Sequence, residues 1–420
     1  MDAIVIDGGI PLRGDVRISG AKNAALPMMA ASLLVDGTTR ITNVPRLTDV
    51  VTLLRLLDRM GCKGSYDDHS LSLDATRITS TEAPYELVKK MRASIYVLGP
   101  LLARFGKAKV SLPGGCAWGP RPVDLHLKGM EALGAKIELE HGYIVASADR
   151  LKGARINLAV SSVGATGNIM MAAALARGTT VIENAACEPE IAALGDFLNE
   201  LGGRVAWTGP KTVEIEGVES LDQGSFENIP DRIETGTFLA AAAITGGDVR
   251  LTRCRPGHLS TVLSRLEEMG CATSQENDTL RITAGGRLRS VDVITEVYPG
   301  FPTDLQAQIM ALLAVSDGTG VIQETIYPDR FTHVPELNRL GARVTLMGNV
   351  ATVRGVSELQ GAPVMSTDIR ASSALILAGL VAKGQTKVSR VYHIDRGYEA
   401  IEKKLAGLGA RIRRIREEGP

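Results

Sequence analysis

The residues best suited to chemistry gather in one short stretch, LPGGCAWGPRP, starting at Leu112. There Pro113, Gly114, Gly115, Gly119, Pro120 and Pro122 surround one cysteine, Cys116, and one arginine, Arg121. This density of proline and glycine argues against a helix or a central strand and for an exposed, articulated loop of the kind that serves as an active-site lid. A thiol in such a loop can donate a proton while it keeps one and attack an electrophile once it loses it; a nearby cation such as Arg121 favours the anion. The other cysteines, Cys62, Cys187, Cys254 and Cys271, are scattered without metal-ligand spacing and read as thiols, most of them buried. Three further segments open helical runs. Asp124 in RPVDLH reads as a helix-start residue, Ser162-Val163-Gly164 offers backbone N–H groups suited to a diphosphate, and Asp304 in FPTDLQAQ reads as a helix cap. Lys22, Arg92, Arg121, Arg330, Arg370 and Arg396 mostly stand beside Gly, Ala or Ser, which let a ligand approach. Taken singly, each would be a solvated charge or half of a weak ion pair.

The 420-residue chain is long enough for two or more domains, and 45% hydrophobic with 22% charged residues fits a folded globular protein. Lys+Arg and Asp+Glu both number 47, so net charge calls for neither nucleic acid nor a membrane surface, and any anionic ligand must be held by local basic clusters. The opening MDAIVIDGGIPLRG alternates like a strand and lacks the pattern of a secretory signal, while AALPMMAASLLV and FLAAAAI are too short to span a bilayer; a cytoplasmic protein is expected. An internal repeat organises the chain. Met60-Gly61-Cys62, Leu133-Gly134-Ala135, Leu201-Gly202-Gly203, Met269-Gly270-Cys271, Leu340-Gly341-Ala342 and Leu408-Gly409-Ala410 recur about 70 residues apart, each ending an amphipathic run. Upstream of each lies an Ala-rich helix, then a glycine turn and a β-branched strand, as in GNIMMAAALARGTTVIENA. The period implies six β-α-β-α-β-β units. In each, the Ala-rich helix is buried on every side and the charged one lies outside, in two closed α/β domains of three units rather than a solenoid.

The blocks SGAKNAALP, MRAS, LPGGC, RPVDLH, SVGAT, PDRIETGTF, FPTDLQAQ, RFTHVPEL, TDIRAS and YHIDRGYE follow one another along essentially the whole chain. In this the sequence resembles the enolpyruvyl transferases, and among them the branch that acts on UDP-N-acetylglucosamine. The resemblance implies a two-domain inside-out α/β barrel, with residues 22–229, including the cysteine loop at about 112–122, in one domain and residues 1–21 plus 230–420 in the other. It implies transfer of the enolpyruvyl group of phosphoenolpyruvate to the sugar 3-hydroxyl by addition and elimination, without metal or other cofactor. By the same resemblance Cys116 protonates the methylene carbon and is the target of fosfomycin-type epoxides, and Asp304 is the base at the 3-hydroxyl. Lys22, Asn23, Arg121, Arg330, Arg370 and Arg396 hold phosphoenolpyruvate, with Lys22 and Arg396 also counted as catalytic. Asn23, Arg92, Arg121, Pro122, Val123, Asp124, Leu125, Ser162, Val163, Gly164, Asp304 and Ile326 hold the nucleotide sugar. The chain departs from the family at Ala117-Trp118-Gly119-Pro120, where an Ile-Gly pair is common, and at Thr48, where some members carry lysine. The alternatives are the related transferase of the shikimate pathway, which should lack the cysteine loop and RPVDLH, and a catalytically silent nucleotide-sugar-binding paralogue.

Overall fold

In the computed structural model, which describes residues 2–89, 91–112 and 123–416, every repeat builds the same sheet. In the third repeat, Arg155–Asn157 runs parallel to Thr179–Glu183, which pairs antiparallel with Thr212–Glu216, and that strand pairs antiparallel with Arg204–Gly209. The remaining four-stranded sheets keep this order of one parallel and two antiparallel pairings. Local chemistry explains the shape of each unit. Val213 and Ile215 alternate inward along Thr212–Glu216, as a strand with one covered face requires. The hairpin joining Lys136–Glu140 to Tyr143–Ser147 turns at His141 and Gly142, both with positive φ, the conformation that matches strand twist. The repeated glycines Gly61, Gly134, Gly202, Gly270, Gly341 and Gly409 all take φ between 88° and 106°, as the expected helix C-termini demand.

The chain divides into two compact units, Gly20–Ile229 and Met1–Ser19 with Pro230–Pro420. Three strands are not contiguous with their repeats. Gly224–Glu227 completes the sheet of Thr38–Thr42. Asp2–Asp7 lies between Gln385–Ser389 and Arg411–Arg416, and Arg13–Arg17 pairs with Asp248–Thr252. Both N-terminal strands therefore belong to the unit that begins again at Pro230. The first crossing falls after Ser19, slightly before the expected junction at residue 22. The reason is that Ala21 N–H donates to the Ile229 carbonyl at 2.7 Å and Asn228 Nδ2 donates to the Ala21 carbonyl at 3.0 Å.

The Ala-rich helices Lys22–Ala31, Val163–Ala173, Arg232–Ile244, Gln306–Val315 and Ile369–Val381 are buried on almost every side. Small side chains let such helices close on one another. A Cβ on Gly99, in Leu98–Phe105, would sit 2.4 Å from the Asn168 carbonyl oxygen of Val163–Ala173. The outer helices are amphipathic; Thr48–Met60 buries Val50, Leu53, Leu57 and Met60 and exposes Arg55 and Arg59. Truncating a buried leucine such as Leu53 to alanine should cost about 2–5 kcal/mol. Among the described residues no helix is long and apolar enough to cross a membrane. This architecture puts the N-terminus of every buried helix at an equivalent place, and the residues singled out in the sequence fall mostly there or at the start of an outer helix.

Candidate active site

In the Gly20–Ile229 unit, Lys22 is the first residue of Lys22–Ala31 and is almost covered, with its Nζ 3.0 Å from Asp49 Oδ2 in the first turn of Thr48–Met60. Asn23 follows it and is half-buried, and Pro27 has no N–H to return to the Asn23 carbonyl. Arg92 opens the short 3-10 turn Arg92–Val97 that leads into Leu98–Phe105. Val123 precedes Asp124–Ala132, so Asp124 is the first helical residue and not the cap; its Oδ2 lies 3.6 Å from Lys128 Nζ. Ser162 does cap its helix, accepting from Ala165 N–H at 3.3 Å, with Val163 and Gly164 in the first turn.

Two residues that sequence reasoning did not single out draw these segments together. Asn168 Nδ2 lies 3.0 Å from His126 Nδ1 and donates to the Ile95 carbonyl at 2.9 Å, while its Oδ1 accepts from Gly99 N–H at 2.8 Å. His126 is buried, and a Cβ on Gly164 would sit 3.0 Å from its Nε2. Burial first, and the Arg92 charge second, push its imidazole down to about 4, so it is neutral near pH 7. With Nδ1 accepting from an amide, Nε2 carries the proton. The segments of Arg92, Val123–Leu125 and Ser162–Gly164 are thus tied by one neutral network. Cys116, Arg121 and Pro122 lie outside the described residues.

In the other unit the structure joins three of the expected residues around one carboxylate. Asp304 Oδ1 accepts from Arg330 Nη2 at 2.7 Å and Oδ2 from Arg370 Nη2 at 2.8 Å. The arginine side chains are 10% and 8% exposed and that of Asp304 27%, so the anion remains within a ligand's reach while the cations are largely covered. Burial would raise the Asp304 carboxyl, but the charges of Arg370 and then Arg330 overcome it and hold it well below the usual carboxylate range. Burial likewise works against the Arg370 cation, and the Asp304 carboxylate more than offsets this. The expectation that Asp304 caps a helix is corrected. It sits inside the 3-10 turn Thr303–Leu305, which has no side-chain cap, and both its oxygens face guanidinium groups.

Arg370 also donates to Tyr398 Oη at 3.2 Å, and Tyr398 lies 2.8 Å from Thr237 Oγ1. Arg396 ends the 3-10 turn Val391–Arg396, and a Cβ on the next residue, Gly397, would be 3.7 Å from Arg370 Nη1. Ile326 is placed through its backbone N–H, which donates to Glu324 Oε1 at 2.8 Å. Asp49, Tyr398 and Glu324 were not singled out in the sequence, because each gains its meaning from a partner far along the chain or around a turn. A carboxylate between two guanidiniums can yield those cations to a competing anion, and an uncovered carboxylate can then accept a proton.

The chain matches the EPSP synthase (3-phosphoshikimate 1-carboxyvinyltransferase) family over residues 6–405. The UDP-N-acetylglucosamine 1-carboxyvinyltransferase of Trichlorobacter lovleyi is 53% identical, covering 99% of this chain and 100% of that one. The protein of the same name from Gluconacetobacter diazotrophicus is 57% identical with the same coverage. Among solved structures, the enolpyruvyl transferase NikO of Streptomyces tendae superposes with a TM-score of 0.90 at 28% identity, over 98% of both chains. Agreement at this level from end to end, in sequence and in fold, makes the chain a member of the EPSP synthase family of enolpyruvyl transferases, in the branch of the UDP-N-acetylglucosamine 1-carboxyvinyltransferases.

Proposed function

We propose that this chain transfers the enolpyruvyl group of phosphoenolpyruvate to the 3-hydroxyl of UDP-N-acetylglucosamine and releases phosphate. The reading rests most directly on full-length relatives at 53% and 57% identity that carry this activity in their names, and the Asp304 cluster supports it. In the addition step the sugar hydroxyl oxygen bonds to carbon 2 of phosphoenolpyruvate, its proton passes to Asp304, and the methylene carbon gains a proton from the Cys116 thiol. In the elimination step the carbon–oxygen bond to phosphate breaks as the new methyl group returns a proton to the Cys116 thiolate, and phosphate leaves with the proton held by Asp304. Lys22, Asn23, Arg121, Arg330, Arg370 and Arg396 bind the donor's carboxylate and phosphate, which offsets charge at the reacting centre. Arg92, Val123, Asp124, Leu125, Ser162, Val163 and Gly164, with Pro122 and the Ile326 backbone, bind the nucleotide sugar. Arrival of the donor's anions draws the guanidiniums from Asp304 and lets its basicity rise when a base is needed. The reaction is the first committed step of peptidoglycan synthesis and takes place in the cytoplasm.

The test is phosphate release from phosphoenolpyruvate with each acceptor separately. Turnover with UDP-N-acetylglucosamine and none with shikimate 3-phosphate is expected; the opposite result overturns the reading. Fosfomycin-type epoxides should alkylate Cys116 ahead of Cys62, Cys254 and Cys271, whose thiols burial pushes up to about 12, 11 and 11. Peptide mapping that places the adduct on one of those three would remove Cys116 from its role.

A further inference from the structure

Glu324 is a fully buried carboxylate at the end of the strand Thr319–Gln323, and nothing above assigns it a part in the reaction. Four donors converge on it. Oε1 accepts from Thr295 Oγ1 at 2.8 Å and from the backbone N–H groups of Ile326 at 2.8 Å and Tyr327 at 2.9 Å, and Oε2 accepts from Thr303 Oγ1 at 2.8 Å. A buried carboxylate with four donors could be a plain structural staple. The direction of the bonds beyond it says more. Thr303 gives its only proton to Glu324, so its oxygen is left to accept, and it accepts from Arg330 Nη1 at 2.9 Å. Arg330 then presents Nη2 to Asp304. Among the described residues the buried Arg330 Nε has no hydrogen-bond partner, so Thr303 and Asp304 fix this guanidinium. The guanidinium carbon also lies 5.6 Å from the centroid of the Tyr327 ring, and Tyr327 is itself held by Glu324 through its backbone.

We propose that Glu324 is a positioning residue for the transfer reaction, setting Arg330 through Thr303 and Tyr327, hence the orientation of Asp304, and fixing the Ile326 backbone. The proposal rests on the reading of Asp304 as the base and Ile326 as a sugar contact. It splits into two arms that different substitutions separate. Glu324→Gln keeps the shape, but the amide carbonyl is claimed by the three donors around Oε1, which turns the NH2 group toward Thr303. The Thr303 proton then loses its acceptor, and Arg330 meets a hydroxyl with no fixed direction. Thr303→Val removes the hydroxyl that joins Glu324 Oε2 to Arg330 and leaves Glu324 Oε1 on Thr295 and the Ile326 and Tyr327 N–H groups. Thr303→Ser restores the hydroxyl.

In steady-state kinetics with phosphoenolpyruvate and UDP-N-acetylglucosamine, Glu324→Gln should lower kcat by about 10²-fold, the scale of a small misplacement of a reacting group, and, because a neutral carbonyl holds the Ile326 N–H less strongly than a carboxylate does, raise KM for the nucleotide sugar. Thr303→Val should lower kcat similarly with little change in that KM, and Thr303→Ser should stay near wild type. Because a loosened Arg330 holds less charge against Asp304, the acid limb of kcat/KM should move to higher pH in the Gln and Val variants. A merely structural carboxylate would lower thermal stability without moving that limb. If Glu324→Gln does not fold, the Val and Ser pair reads the same link. Equal losses in Thr303→Val and Thr303→Ser, or an unshifted acid limb in every variant that folds, overturn the proposal. Should the wild type use another acceptor, the acceptor reading fails, while the ratio of variant to wild type with that acceptor still decides the role of Glu324.

Discussion

Asp231 and Asp304 lie near the starts of buried helices in consecutive repeats, Asp231 at the cap position of Arg232–Ile244 and Asp304 two residues past the cap position, Pro302, of the turn that leads into Gln306–Val315, and their carboxylates face different partners. Asp231 accepts from the N–H groups of Ile233 at 2.7 Å and Glu234 at 3.0 Å. Asp368, one repeat further on, does the same for Arg370 and Ala371. Those two satisfy helix ends. Asp304 instead gives both oxygens to Arg330 and Arg370. At this helix start Pro302 holds the cap position without a side-chain acceptor, and the carboxylate two residues on is a counter-ion, an anion within reach of solvent beside two covered cations. The fold repeats its helix starts, and side-chain choice decides whether a carboxylate there holds backbone N–H groups or guanidinium groups.

The most severe way to break this comparison is to remove charge while keeping shape. Asn caps nearly as well as Asp, so Asp231→Asn should hardly change stability. Asp304→Asn should lower turnover by about 10²–10⁴-fold, the worth of a positioned base. It should also cost stability, up to the ~3–5 kcal/mol seen when a covered ion pair loses one partner. Thermal melts and phosphate release on both variants provide the check. Equal melting temperatures for the two would mean that Asp304 behaves as a cap after all.

Lys22 and Asp49 in the Gly20–Ile229 unit test whether a covered ion pair there follows the same rule. Both side chains are nearly buried. Lys22→Met takes this cation from the covered Asp49 carboxylate and should cost up to about 3–5 kcal/mol, whereas adding Asp49→Leu removes the covered carboxylate and should recover part of the loss. Turnover should stay low in the double variant, because the donor's anion still lacks its cation. Recovery of turnover along with stability would reduce Lys22 to a structural residue.

The Ala-rich helices were legible because a run with no polar face can only be buried, and the helix-ending glycines because left-handed φ excludes most other residues. The borrowed strands were harder. Gly224–Glu227 and Arg13–Arg17 look like any short strand, and their pairing depends on how each unit closes. The site divides along the same line. Asp304, Arg330 and Arg370 lie in separate recognisable segments, and the structure adds their mutual distances. Glu324, in QETIYP, carries no periodicity or spacing that marks it; its partners Thr295 and Thr303 come from other segments. Thr-Asp before an apolar run usually caps a helix, so the residues around Asp304 suggest a cap where the resemblance implies a base, and the arginines that hold its carboxylate are 26 and 66 positions away.

Acidity bears on the comparison between units, because each holds a buried histidine that titrates in the same window while Asp304 titrates below it. His126 is lowered from 6.5 to about 4, so the unfolded chain takes up a proton first. Its contribution to stability is whole above about pH 6.5, declines as pH falls, and is lost by about pH 4; at about 1.4 kcal/mol per unit, that is about 3 kcal/mol. His333, in the other unit, is lowered to the same degree, so wild-type data alone merge the two. Asp304 adds its loss only below the ordinary carboxylate value of about 4. His126→Asn keeps an acceptor for Asn168 without a titrating ring, and its denaturant midpoint should fall less than that of wild type between pH 6.5 and 4. Parallel curves would show that the buried His126 does not titrate on unfolding.

The smallest expected effect concerns the caps themselves. Asp231 takes two N–H groups at ordinary hydrogen-bond distances and carries a charge that favours a helix N-terminus, whereas Ser162 is neutral and takes one N–H at a long 3.3 Å. Asp231→Ala should therefore cost about 1 kcal/mol or somewhat more, and Ser162→Ala about 0.5 kcal/mol, the lower end of the range for lost caps. Urea unfolding of the two variants, with unchanged m-values, measures both on one scale. The order matters more than the size. If Ser162→Ala proved the costlier, the Ser162 hydroxyl would be holding more than a helix end even without a ligand, and the neutral network of His126 and Asn168 beside it would be the place to look. If the expected order holds while Ser162→Ala weakens affinity for the nucleotide sugar in calorimetry, the hydroxyl contributes chiefly to the ligand, and the two helix starts differ in function as Asp231 and Asp304 do.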